Sequence, residues 1–123
     1  RVIECLLQVH IASEETKFGM DKAELMETVQ KIFQDKSYEH VTVRGLMGMA
    51  SFSDDLDQVR NEFRQLHSLF EKVKTMDHTP SKFDTLSMGM SGDYKMAIEE
   101  GSNMVRVGSL LFGVRNQELG IGN

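Results

Sequence analysis

The stretch from Leu86 to Ser109, LSMGMSGDYKMAIEEGSNMVRVGS, concentrates residue types that hold anions. Ser87, Gly89, Ser91 and Gly92 stand at one end of it, Gly108 and Ser109 at the other, and Arg106 adds a permanent cation beside the second cluster. A phosphate group takes several donors in a shell of about 3 Å, drawn from amide N–H groups, hydroxyls and helix N-termini. Serine brings the hydroxyl, and glycine lets the backbone come close. The same letters also fit a purely structural reading, with Ser91 as a helix N-cap, Gly101 as a C-cap and the other glycines in tight loops.

Other chemistries have less to stand on. Gly89 to Asp93 resembles a serine nucleophile elbow only in part, because Asp93 occupies the place of the second glycine. His10, His40, His67 and His78 are scattered, without H-E-x-x-H or paired cysteines, so no metal-ligand spacing is present. Asp54, Asp55 and Asp57 lack the calcium-loop pattern and suit the start of a helix. Met47, Met49, Met88 and Met90 fall at strand ends, where adaptable core packing is the default and lining of a cavity the alternative.

The elements that must position the serine and glycine clusters follow from hydrophobic periodicity. VIECLLQVHI reads as a first strand. Asp21 and Glu24 form a capping-box pattern opening a helix whose Leu25, Val29, Ile32 and Phe33 share one face through about Tyr38. VTVRGLMGMA is a second strand. Ser53 to Asp55 start the longest helix, along which Leu56, Val59, Phe63, Leu66, Phe70 and Val73 step by three and four. Past the loop at Pro80, FDTLSMGM is a third strand, Ser91 to Glu100 a short helix stopped by Gly101, and MVRVGSLLFG a fourth strand. The fold class is therefore α/β, a parallel β-α-β-α-β-α-β unit. Four strands make either a small open sheet or half of a (β/α)8 barrel. In such folds ligands gather at the carboxyl ends of the strands, where both clusters lie.

Length and composition bound the rest. The chain has 123 residues, enough for one domain spanning 1–123, with 40% hydrophobic and 27% charged residues; the polar, Gly-rich segment 114–123 reads as a frayed tail. A net charge of -5 argues against nucleic acid as a partner. No window has the length and apolarity of a membrane span. The single cysteine, Cys5, sits in an apolar run, which agrees with a cytoplasmic location. The chain opens at Arg1 directly into a strand, and we expect sequence upstream of it.

The segment LSMGMSGDYKMAIEEGSNMVRVGSLLFGVR resembles the C-terminal signature of the pyridoxal phosphate homeostasis proteins, single-domain relatives of the alanine racemase barrel. QVHIASEETKFGM and GLMGMASFSDDLDQVRNEF are similar to the two preceding segments of that family, so the resemblance covers nearly the whole chain. It implies the C-terminal half of a (β/α)8 barrel holding pyridoxal 5'-phosphate (PLP) at the strand carboxyl ends. Residues matching Ser87, Gly108 and Ser109 surround the phosphate there, with Met88 and Ser91 in the same neighbourhood. Arg106 matches the arginine that faces the pyridine nitrogen, and amid MVRVG it is expected to need a buried acceptor.

The same resemblance implies a covalent lysine anchor on the first barrel strand, upstream of Arg1. The chain would then carry the phosphate cup without the anchor and bind PLP weakly or not at all. Lys17, in TKFG, belongs to a family-like loop and reads as structural or as a ligand contact. The implied partners are PLP and either the missing N-terminal half-barrel or a second copy of the chain. Three functions stay open: a non-catalytic PLP homeostasis protein, a PLP-dependent racemase or decarboxylase, and a self-associating half-barrel without cofactor function.

Overall fold

In the computed structural model, residues 2–13 and 19–106 are described. Four strands, β1 (Ile3–Gln8), β2 (Val41–Gly48), β3 (Thr85–Met90) and β4 (Met104–Arg106), alternate with three helices, α1 (Lys22–Gln34), α2 (Leu56–Lys74) and α3 (Tyr94–Glu99). All neighbouring strands pair in parallel, and their order in the sheet is their order in the chain. Right-handed crossovers that always step in one direction put every helix on the same face of the sheet. That distinguishes this sheet from a doubly wound one, whose strand order reverses and places helices on both faces.

The strand register sorts side chains between the two faces. Leu7, Leu46 and Leu86 form one row across β1, β2 and β3, and Leu46 and Leu86 are fully buried against the helices. The next row, Gln8, Met47, Ser87 and Met104, points to the opposite face, which carries no helix among the described residues. Met88 pairs with Gly48 and returns to the helix side, where it is 1% exposed.

Local signals explain the helices. Asp21 accepts from the amide of Glu24 while Glu24 returns a bond to the Asp21 amide, the reciprocal cap expected from the sequence. α1 is shorter than its periodicity predicts. It ends at Gln34, and Asp35 caps a 3-10 turn over Lys36–Tyr38. In α2 the predicted stripe is buried at Val59, Phe63, Leu66, Phe70 and Val73, but Leu56 is 64% exposed. Leu56 is the first residue after the N-cap Asp55, so it projects beyond the sheet rather than onto it.

β2 contains a bulge. Cys5 pairs with Val43 and Leu6 with Gly45, so Arg44 is the extra residue. Its guanidinium reaches Glu4 at 3.2 Å, Asp84 at 3.1 Å and the Lys82 carbonyl at 2.9 Å, joining three strand beginnings. Beside it, a Cβ on Gly45 would stand 1.6 Å from the Thr85 carbonyl oxygen. Only glycine allows β2 and β3 to approach so closely.

Candidate anion and cofactor site

The carboxyl ends of β1, β2 and β3 enclose a cavity of about 500 Å3, lined by Gln8 and His10, by Met49, Ser51 and Phe52, and by Met90, Ser91, Gly92 and Asp93. Each group follows a different strand, the placement that parallel α/β folds give their ligand sites. The volume falls within the range of small-molecule pockets, about 300–1,000 Å3.

Ser87 is 2% exposed, and its hydroxyl has no hydrogen-bond partner among the described residues. It stands in the same cross-strand row as Gln8, which lines the cavity. A buried hydroxyl without a partner costs about 1–3 kcal/mol, so a donor left open here is informative.

Ser91 lines the cavity but does not cap α3, as the sequence had suggested. The helix starts three residues later, at Tyr94, with Asp93 as N-cap. Asp93 does not cap through its side chain either, because its carboxylate accepts from the Met90 amide at 2.7 Å and closes the Ser91–Gly92 turn. α3 has only six residues, so its dipole contributes little to an anion.

Gly89 has φ 101°, and a Cβ there would come within 2.6 Å of the Ala97 Cβ, which is how α3 reaches the end of β3. Gly101 ends α3 as expected.

Met88 differs from its expected place beside a phosphate: its side chain belongs to the core between sheet and helices, leaving only its backbone near the strand end. Arg106 is exposed rather than buried. Its Nη1 lies 3.9 Å from Met49 Sδ, and no carboxylate pairs with it among the described residues. The acceptor expected for it within the chain is therefore not present in the described part. Gly108, Ser109, Lys17 and the segment 114–123 lie outside the described residues.

Three polar groups that support the site escaped the sequence reading. Glu62, 4% exposed on the buried stripe of α2, accepts from Ser51 N at 2.6 Å and Ser51 Oγ at 2.7 Å, from Ser13 Oγ at 2.8 Å and Ser13 N at 3.1 Å, and from Gln58 at 3.2 Å. Burial pushes its carboxyl up, but these bonds outweigh that and hold it below the ordinary value of 4.5. Its signal in the sequence was a carboxylate three residues after Val59 and four before Leu66, in the middle of an apolar face.

Ser102 places its hydroxyl 2.7 Å from the Met88 carbonyl and 2.9 Å from that of Met104, and Asn103 donates to Asp84 O at 2.7 Å while accepting from Leu86 N at 2.8 Å. Together they seam β4 to β3 where the strand ladder shifts register.

A charge cluster fixes α3 from the other side. Arg60 bonds Glu100 at 2.5 Å and Glu99 at 2.9 Å, and Arg64 bonds Glu100 at 2.9 Å. The Glu100 side chain is 12% exposed, and these hydrogen bonds, first from Arg64 and then from Arg60, lower its carboxyl pKa. Among the described residues no group of His, Cys, Asp and Glu forms a metal site, and no helix is long and apolar enough to cross a membrane.

Comparison with known proteins bears on this geometry. Residues 1–116 match the family model described as alanine racemase, N-terminal domain. The chain is 38% identical over 114 residues to the pyridoxal phosphate homeostasis protein of Pasteurella multocida, covering 93% of this chain and 47% of that one. It is 36% identical over 115 residues to the human protein of the same name, covering 93% and 41%. The structure of PipY from Synechococcus elongatus with PLP bound superposes with a TM-score of 0.70 at 26% identity, over 87% of this chain and 47% of that one. The crystal structure of a protein from Bifidobacterium adolescentis superposes at 0.75 with 32% identity, over 86% of this chain and 41% of that one. The chain thus spans about half the length of the curated relatives it matches.

Proposed function

Because this chain belongs to the alanine racemase N-terminal domain family, we propose that it is the C-terminal half of a (β/α)8 barrel that binds pyridoxal 5'-phosphate in a PLP homeostasis protein. The relatives' names and the PLP-bound structural neighbour support the cofactor. The observation that carries the reading is Ser87, a buried hydroxyl with no partner among the described residues, in the same cross-strand row as Gln8, which lines the cavity at the strand carboxyl ends. The sequential strand order and the helix-free face support the half-barrel.

In this reading Ser87, Gly108 and Ser109 receive the phosphate. Ser91 stands at the cavity wall, and Met88 takes part through its backbone alone. Arg106 faces the pyridine nitrogen. Its guanidinium donates a hydrogen bond and keeps its proton, so the ring nitrogen stays unprotonated. When bound, the cofactor supplies an aldehyde and a ring that withdraws electrons, most strongly when its nitrogen is protonated. An arginine partner therefore suits holding the cofactor better than carbanion chemistry, and no catalytic residue is assigned. The covalent anchor is a lysine outside this chain, and the two half-barrels share the site.

The test is a titration of the full-length protein and of the 123-residue chain with PLP and with unphosphorylated pyridoxal, read by the cofactor's absorbance. The expected result is tight, phosphate-dependent binding in the full-length protein and weak binding in the short chain. Equal affinity for the two ligands would overturn the phosphate cup. Racemisation of alanine above background would favour an enzyme instead. Absence of binding in both proteins, with association of the short chain, would favour a self-associating half-barrel.

A further inference from the structure

We propose that Glu62, which does not line the cavity, is the positioning residue that holds two of its three walls in register. The wall after β1 contributes His10 and Ala12, and the wall after β2 contributes Ala50, Ser51 and Phe52. Both walls are held by one carboxylate. Oε2 of Glu62 receives Ser13 N and Ser13 Oγ from the first, while Oε1 and Oε2 receive Ser51 N and Ser51 Oγ from the second. The two walls also touch directly, Ser13 N lying 2.9 Å from Ser51 Oγ. α2 supplies the carboxylate from a rigid helix packed on β2, so the loops take their positions from the core.

The choice of group argues for positioning rather than for stability alone. Among the described residues no cation pairs with Glu62, and a buried carboxylate without one carries a desolvation cost of several kcal/mol. An apolar residue on this stripe would fill the space without that cost. What it would not do is accept four hydrogen bonds from two loops. A carboxylate is the side chain that offers acceptors only, whereas the amide of Gln would turn donors toward the Ser51 or Ser13 N–H groups.

This inference rests on the proposed cofactor reading only for its ligand, and the test separates the two. Amide hydrogen exchange is compared between the full-length protein and its Glu62→Gln variant. Faster exchange is expected at Ser13, Ser51 and the segments 9–13 and 49–52, with Leu46 and Leu86 unchanged. PLP affinity should fall by about tenfold, the scale of losing one or two charge-assisted hydrogen bonds. Arg44→Met, which breaks a polar cluster at the opposite strand ends, serves as a control that lowers stability without lowering affinity. Unchanged exchange at Ser13 and Ser51, or an equal affinity loss in the control, would overturn the proposal. If the wild type binds no PLP, the cofactor reading fails and the exchange data alone decide the role of Glu62. Ser51→Ala provides the same local readout should Glu62→Gln not fold.

Discussion

Arg106 at the end of β4 reaches over the end of β3 to bring its Nη1 within 3.9 Å of the Met49 sulfur, in the loop after β2. A thioether is a weak acceptor, so the guanidinium keeps most of its hydrogen-bonding capacity at the rim of the cavity that Met49 lines. Its exposure, where an apolar neighbourhood in sequence predicts burial, is explained by the same geometry. β4 is the outer strand of the four, and the face on which Arg106 lies carries no helix among the described residues.

The first prediction concerns that arginine. Arg106→Ala in the full-length protein should shift the absorbance of bound PLP while lowering its retention only modestly, because the phosphate contacts remain. Complete loss of cofactor from a folded variant would contradict this division of roles.

Ser87→Ala should separate stability from binding. Removing a buried hydroxyl that has no partner among the described residues is expected to leave the urea midpoint unchanged or to stabilise by up to about 1 kcal/mol. Phosphate-dependent affinity should fall by about tenfold in the same variant. A marked loss of stability would mean that the hydroxyl is already satisfied inside the protein.

Gly45→Ala tests the close approach of β2 and β3. A new Cβ would meet Thr85 O at 1.6 Å and Thr85 C at 2.5 Å, both backbone atoms that cannot turn aside. A loss of more than about 4 kcal/mol, or failure to fold, is expected in chemical denaturation. Gly92→Ala is the contrast, since nothing lies within 4 Å of its Cβ, and its stability should change by no more than about 0.5 kcal/mol.

Glu62 should shape the acid limb of stability. Its folded pKa lies below the ordinary 4.5, so its contribution is present above that value and is lost as pH falls through the folded pKa. Asp35, Asp84 and Glu100 are lowered as well and share the limb. Unfolding midpoints from about pH 7 to about pH 3 should show Glu62→Gln less stable than wild type at neutral pH, with the gap narrowing toward acid. A gap that stays constant would show that the charge of Glu62 contributes nothing.

Short-range patterns in the chain carried most of the architecture. Alternating strand and helix periods settled the element order and the parallel pairing, and the three-and-four spacing from Val59 to Val73 marked the face of α2 that the sheet buries. The capping box at Asp21 and the stop at Gly101 were legible because their hydrogen bonds and dihedrals involve residues close in sequence. Periodicity left open whether the four strands form a small open sheet or half of a barrel, since strand order is a property of pairing between distant segments.

The site was legible as a set of residue types and much less so as an arrangement. Ser87 and Met88 are adjacent letters, yet the pleat sends one toward the helix-free face and the other into the core. Ser91 looked like a helix cap until Asp93 took the Met90 amide and moved the start of α3 to Tyr94. The meeting of Ser13, Ser51 and Glu62 spans up to 49 residues and follows no local rule. Hydrophobic spacing is a local consequence of backbone geometry and can be read along the chain. Which hydroxyl is left without a partner, and which carboxylate gathers two loops, depends on how the strands and helices close upon one another, and only the folded structure decides that.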